Sequence, residues 1–104
     1  MRLFGNPGGG NSSQQVQKMI QEGAAIIDVR TPAEFAGGHV AGSKNIPLNL
    51  ISNHVDEIQE MDKPVVLCCA SGGRSGQATA YLRQHGIECE NGGGWTAVNA
   101  LVKP

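Results

Sequence analysis

Hydrophobic positions alternate along this chain between two rhythms, one helical and one extended. From Ser13 onward, Val16, Met19 and Ile20 fall at helical spacing, with Ser12 or Ser13 as cap and Gly23 as stop. Ala24-Ala25-Ile26-Ile27-Asp28-Val29 is instead a short apolar, β-branched run, the signature of a buried strand. Thr31-Pro32-Ala33-Glu34 follows at once, joining capping-box spacing to a proline at the first helical position; the short helix it opens ends at Gly37-Gly38. Lys44-Asn45-Ile46 is a weak strand candidate stopped by Pro47. Val55 and Ile58, with Met61, predict the inward face of a helix over about Ser52 to Met61. Pro64-Val65-Val66-Leu67-Cys68-Cys69 is the clearest buried strand of the chain. Ser75 to His85 reads as a helix with Ala78, Tyr81 and Leu82 near one face and Gly86 as its stop. Ile87-Glu88-Cys89 is the candidate last strand, and Trp95 to Leu101 a final short helix.

Strands that alternate with helices predict an α/β fold: a central, mainly parallel sheet of four to five strands, helices on both faces, three layers in all. The breaker run Asn6-Pro7-Gly8-Gly9-Gly10-Asn11 predicts a loop, and Met1 to Phe4 before it a short edge strand or a loose end. Residues 1–12 are thus expected as an N-terminal segment and 13–104 as the domain proper. With 104 residues the chain is one domain at most, large enough to fold without disulfides or metal. In such sheets ligands bind where strands give way to helices. Two sharp transitions of that kind stand after Val29 and after Cys69.

The second transition is the chemical one. Cys69 closes an apolar strand, and Ala70-Ser71-Gly72-Gly73-Arg74-Ser75 leads into a helix. Small residues and two glycines let the backbone curl, so that successive N–H groups point into one concavity. The helix start adds its positive dipole end. A thiol in that setting has its thiolate stabilised, which makes it a nucleophile. Arg74 contributes the loop's fixed positive charge, with a planar fork suited to oxyanions. A Walker-type phosphate loop does not fit, because its lysine is missing and a cysteine leads the loop. The plainer alternative, Cys69 as a small core residue, is opposed by the strand-end position, the glycines and the arginine together.

Charge and cysteine count narrow the picture. The formal net charge is −1 with no run of either sign, so neither nucleic acid nor an anionic membrane is an expected partner. Three cysteines, Cys68, Cys69 and Cys89, do not make a disulfide framework. Cys68 precedes Cys69 on the same strand and so faces the other way, as a core filler. Cys89 also reads as structural. No zinc spacing occurs, so neither metal nor cofactor is expected. Reduced thiols and the lack of a membrane-spanning or signal-like apolar run predict a cytoplasmic setting, or a periplasmic one if a leader has been cleaved away.

These marks together resemble the rhodanese homology domain over about Ser13 to Val102. They are Ile27-Asp28-Val29-Arg30 followed by Pro32, Glu34 and Phe35; Gly38-His39-Val40-Ala41-Gly42-Ser43 running into Asn45-Ile46-Pro47; the strand and loop from Val65 through Ser75; and Gly93-Gly94-Trp95. The resemblance implies a parallel α/β sheet and a catalytic role for Cys69, with Ala70, Ser71, Gly72, Gly73, Arg74 and Ser75 forming the substrate loop. It implies sulfur transfer in two steps: a donor such as thiosulfate loads Cys69 as a persulfide, and cyanide or a thiol unloads it. Six residues from Cys69 through Arg74 match the sulfurtransferase form; related phosphatases and arsenate reductases carry one more. Many relatives have a basic residue directly after the cysteine, where this chain has Ala70. That departure points toward a protein or small-molecule persulfide donor. A carrier or redox-sensing module without turnover is the alternative reading, and a phosphatase or arsenate reductase, despite the shorter loop, stands behind it.

The supporting residues keep two readings each. Asp28 and Arg30 either brace the active loop or form a local cap or surface ion pair. Trp95 either walls the cleft or fills the core. Glu34 reads as serving the capping box of Thr31, His39 as anchoring a turn, and His54 and His85 as solvated helix residues. A monomer is the expected state.

Overall fold

The computed structural model describes residues 9–102. The expected strand or loose end over Met1 to Phe4 lies outside them. Four parallel strands form one sheet: β1 (Ala25–Asp28), β2 (Lys44–Asn45), β3 (Val65–Cys69) and β4 (Cys89–Gly94), in the order β2-β1-β3-β4. Five α-helices surround it: α1 (Gly9–Gln21), α2 (Pro32–Ala36), α3 (Val55–Glu60), α4 (Gly73–Gln84) and α5 (Trp95–Val102). A 3₁₀ segment, Leu48–His54, leads into α3. This is the three-layer α/β architecture expected.

The layers follow from strand alternation. Along β3, Val65, Leu67 and Cys69 point to one face and join Ile27, Ile51, Ile58, Ala78 and Leu82 in a core under the 3₁₀ segment, α3 and α4. Val66 and Cys68 point to the other face and join Val16, Met19, Val40 and Val98 under α1 and α5. All five residues of β3 are buried, as a central parallel strand covered on both faces requires.

Several boundaries differ from expectation, among them the start of α4 at Gly73 rather than Ser75, and three differ by most. Helix α1 starts at Gly9, so the tail of the expected loop and the expected Ser12 and Ser13 caps lie inside it. Burying Val16 and Met19 against the sheet nucleates this helix, and propensity is too weak a force to stop its backward extension. The segment expected as helix from Ser52 begins four residues earlier, as the 3₁₀ turn from Leu48. The last strand is Cys89–Gly94 rather than Ile87–Cys89, and so runs through the glycines. A side chain at Gly92 would collide there: its Cβ would lie 2.7 Å from Val98 and 2.9 Å from Val66. Close packing on β3 therefore selects glycine where strand propensity opposes it.

The order β2-β1-β3-β4 also places the candidate site. From β1 the chain leaves toward β2 on one side, and from β3 toward β4 on the other. The turns after β1 and β3 therefore part from each other at the carboxyl ends of two neighbouring strands, a topological switch point.

Candidate active site

Cys69 is the last residue of β3, 1% exposed, with its sulfur under the first turn of α4. Gly72 caps that helix at φ +105°, a left-handed conformation costly for any residue with a Cβ, and so turns its own N–H onto the sulfur. Three donors converge on Cys69 Sγ: Gly72 N–H at 3.0 Å, Ser75 N–H at 3.4 Å and the Ser75 hydroxyl at 3.3 Å. Burial pushes the thiol up, but donation from the Ser75 hydroxyl and from the N–H groups of Ser75, Ser71 and Gly72 outweighs it and brings Cys69 down to about 7. The loop owes its tightness to β4 as well. A Cβ on Gly94 would lie 3.0 Å from the Ala70 carbonyl oxygen, so only glycine lets strand and loop approach this closely.

One residue earlier the same strand makes an inert thiol. Cys68 faces the other core, and burial, with Asp28 adding to it, pushes it up to about 12. Cys89 is raised by burial too, and its thiol points at the Thr79 carbonyl at 3.5 Å. Both read as structural, as expected.

The Ser75 hydroxyl has a second neighbour that the sequence pattern did not reveal. It donates to Asn91 Oδ1 at 2.7 Å. Asn91 Nδ2 in turn donates to the Gly72 carbonyl at 3.1 Å, and its Oδ1 also accepts Gly93 N–H at 2.9 Å. An irregularity in the β3–β4 pairing, where Leu67 faces Asn91 but Cys68 faces Gly93, puts Asn91 on the Cys69 side of the sheet. The only local hint was an Asn two residues before a glycine, the mark of an Asx turn.

Arg74 has a partner that the sequence pattern did not reveal. It is not a free cation over the loop: Nη1 and Nη2 donate to Glu34 Oε1 and Oε2 at 2.8 and 3.0 Å. The Arg74 guanidinium holds the Glu34 carboxyl down at about 2, with Thr31 N–H assisting. Glu34 also completes the capping box of α2, so it serves both ends at once. A shallow depression beside the pair is lined by Val29, Thr31, Pro47, Leu48, Asn49 and Arg74.

Asp28 and Arg30 form a buried pair, not a surface one. Arg30 Nε and Nη2 donate to the Asp28 carboxylate at 2.7–3.0 Å, with both side chains at most 6% exposed. Arg30 Nη2 and Nη1 also reach the carbonyls of Gly38 and Glu34, and its guanidinium lies 5.0 Å from the Trp95 ring centre. The pair thus braces the turn after β1 and does not touch the Cys69 loop directly. Trp95 packs against the α1/α5 core, under Gly38, at the start of the helix that follows Gly94. His39 anchors its turn through Phe35, stacked on that ring and 2.8 Å from its carbonyl. Among the described residues no cluster of His, Cys, Asp and Glu could hold a metal ion, and no helix is long and apolar enough to cross a membrane.

Comparison with known proteins agrees with this geometry. The family model described as rhodanese-like domain matches residues 12–101. A Bacillus subtilis protein, YqhL, described only as uncharacterized, is 49% identical over 63 residues, covering 61% of this chain and 49% of that protein. The thiosulfate sulfurtransferase GlpE of Pseudomonas aeruginosa is 34% identical over 74 residues, covering 71% of this chain and 66% of GlpE. The chain therefore spans about half to two thirds of the length of these curated relatives. Among solved structures, the human single-domain sulfurtransferase TSTD1 superposes with a TM-score of 0.69 at 26% identity, over 96% of this chain and 99% of that one.

Proposed function

Because the chain belongs to the rhodanese-like domain family, we propose that it is a sulfurtransferase carrying sulfane sulfur on Cys69. The observation that carries this reading is the convergence of Gly72 N–H, Ser75 N–H and the Ser75 hydroxyl on one sulfur. A thiol drawn down to about 7 is substantially thiolate at neutral pH, yet remains a strong nucleophile.

The thiolate attacks the outer sulfur of a donor R–S–S⁻ or of thiosulfate. A bond forms between Cys69 Sγ and that sulfur, the donor's sulfur–sulfur bond breaks, and thiolate or sulfite leaves with the electron pair. The persulfide anion then rests under the N–H groups of the loop from Ala70 to Arg74. An acceptor, cyanide or a thiolate, takes the outer sulfur, and the electron pair returns to Cys69 as thiolate. No net electron or proton is gained over the cycle.

The pairing of Arg74 with Glu34 supports a persulfide donor over thiosulfate. A dianion entering the loop meets a neutralised cation and the methyl group of Ala70, whereas a monoanionic persulfide asks for less charge compensation. Incubating the folded protein with thiosulfate, or with a small-molecule persulfide, and weighing it intact tests the proposal. One added sulfur, released by cyanide or dithiothreitol, is expected, with faster loading from the persulfide. A folded protein that takes sulfur from no sulfane donor would overturn it. A carrier without turnover would instead load stoichiometrically and release slowly. Hydrolysis of an aryl phosphate that disappears in Cys69→Ser would revive the phosphatase reading.

A further inference from the structure

Ser75 has one hydroxyl proton and two acceptors. Its Oγ lies 2.7 Å from Asn91 Oδ1 and 3.3 Å from Cys69 Sγ, and the residue is completely buried. A single O–H cannot serve both at full strength, and Ser75 itself has no exposed surface. We propose that Asn91 is a positioning residue that offers this proton a second resting place, and so sets the balance between the charged and neutral states of Cys69 Sγ. When Sγ is a thiolate, the hydroxyl turns toward sulfur. When Sγ is a neutral thiol, or the bridging sulfur of a persulfide, it no longer attracts the proton, which turns back to Asn91 Oδ1. Only a rotation about the Cβ–Oγ bond is involved; no covalent bond changes.

The rest of Asn91 is held as this role demands. Its Nδ2 is committed to the Gly72 carbonyl, which fixes the amide so that oxygen, not nitrogen, faces Ser75. Gly93 N–H donates to the same oxygen at 2.9 Å and keeps it satisfied when the hydroxyl has turned away. Without Asn91 Oδ1, the neutral-sulfur states would bury an unsatisfied hydroxyl proton, while the thiolate would lose nothing. Asn91 therefore favours thiol and persulfide over bare thiolate. For sulfur transfer, which this inference takes as the reaction, that means a persulfide that is easier to form and to keep.

Charge reaches Cys69 from Arg74 of α4, itself paired with Glu34 of α2, and Cys68 lies beside it on β3; the Asp28–Arg30 pair at the end of β1 acts on Cys68. Substitution at Asn91 leaves all of these in place. The test is the pH dependence of Cys69 alkylation by iodoacetamide in Asn91→Leu, with Asn91→Ala as the second variant should the first not fold. The expected result is an apparent Cys69 pKa about 0.5–1 unit lower than in the parent, and a sulfane-loading equilibrium weakened by the corresponding three- to tenfold or so. A loop merely loosened by the loss of Asn91 would lose donors to the thiolate and shift the other way, so an upward or absent shift overturns the proposal. The shift should also vanish when Asn91→Leu is made on a Ser75→Ala background, because Asn91 acts through that hydroxyl; simple additivity would equally overturn it. Alkylation needs no sulfur chemistry. A protein that accepts no sulfane sulfur would thus refute the function while leaving the Asn91 measurement intact.

Discussion

Two turns stand side by side at the carboxyl end of this sheet, and they are closed by opposite means. The turn after β1 is closed by side chains: Asp28 and Arg30 pair in the interior, and Thr31 and Glu34 cap each other at the start of α2. The turn after β3 is closed mainly by backbone: Gly72 and Ser75 direct their N–H groups to one sulfur, with the Ser75 hydroxyl and Asn91 in support, and no side-chain hydrogen bond from the N-cap residue caps α4. In the first turn the donors of Arg30, Thr31 and Glu34 meet fixed partners. In the second, the group that satisfies the donors is the proposed reactive atom, so gaining or losing charge there would be met by ready-made dipoles. The Glu34–Arg74 pair ties the two turns together across 40 residues of sequence. One turn is a brace, and the other is a cradle held by it.

The comparison breaks most sharply at Cys69. Cys69→Ser should lower sulfur transfer by about a thousandfold or more, while Cys68→Ser, on the opposite face of the same strand, should keep most of it. A steady-state thiosulfate:cyanide assay of both variants checks this, and equal losses would mean the two thiols act together.

Damage to the brace should appear as instability rather than lost chemistry. Arg30→Met leaves Asp28 charged and buried without a partner, which costs about 3–5 kcal/mol. Urea denaturation measures it; a loss near zero would mean the pair contributes little net stabilisation.

The cradle's own donor gives a smaller effect. Ser75→Ala removes a hydrogen bond to the thiolate, and the midpoint of Cys69 alkylation against pH should rise from about 7 by about one unit. Cys68, pushed up to about 12, should stay unmodified at neutral pH in both proteins.

Glu34→Gln is the gentlest change, since Gln preserves the capping box while freeing the Arg74 charge. It should lower the KM for thiosulfate about two- to fivefold, the range of a half-exposed ion pair. The sign of its pH dependence is defined. The Glu34 carboxyl is held at about 2 against an ordinary 4.5, so the pair stabilises the fold fully above about 4.5. That contribution fades as pH falls through about 2. Thermal melts of parent and variant should therefore differ most at neutral pH and converge in acid.

Much of this was legible in the chain because it depends on neighbours in sequence. A continuous apolar run identified β3, the alternation of side chains along a strand separated Cys68 from Cys69, and the Thr31/Glu34 spacing identified the α2 cap. Propensity failed where packing overrode it. The Cys89–Gly94 strand looks like a turn until Val66 and Val98 are seen closing over Gly92. Glu34 illustrates the other failure: its local role as a cap was visible, and its second role was not, because Arg74 is distant in the chain.

The sequence by itself therefore determined the order of strands and helices, and marked the candidate nucleophile and the six-residue run that it opens, since apolar runs, caps and glycine turns are written within a few residues. Only the tertiary structure decided that Arg74 is paired, that Arg30 is interior, and that Asn91 shares a proton with Ser75. Each of those depends on which strands lie side by side and on an irregularity in one pairing register, and no local pattern encodes either.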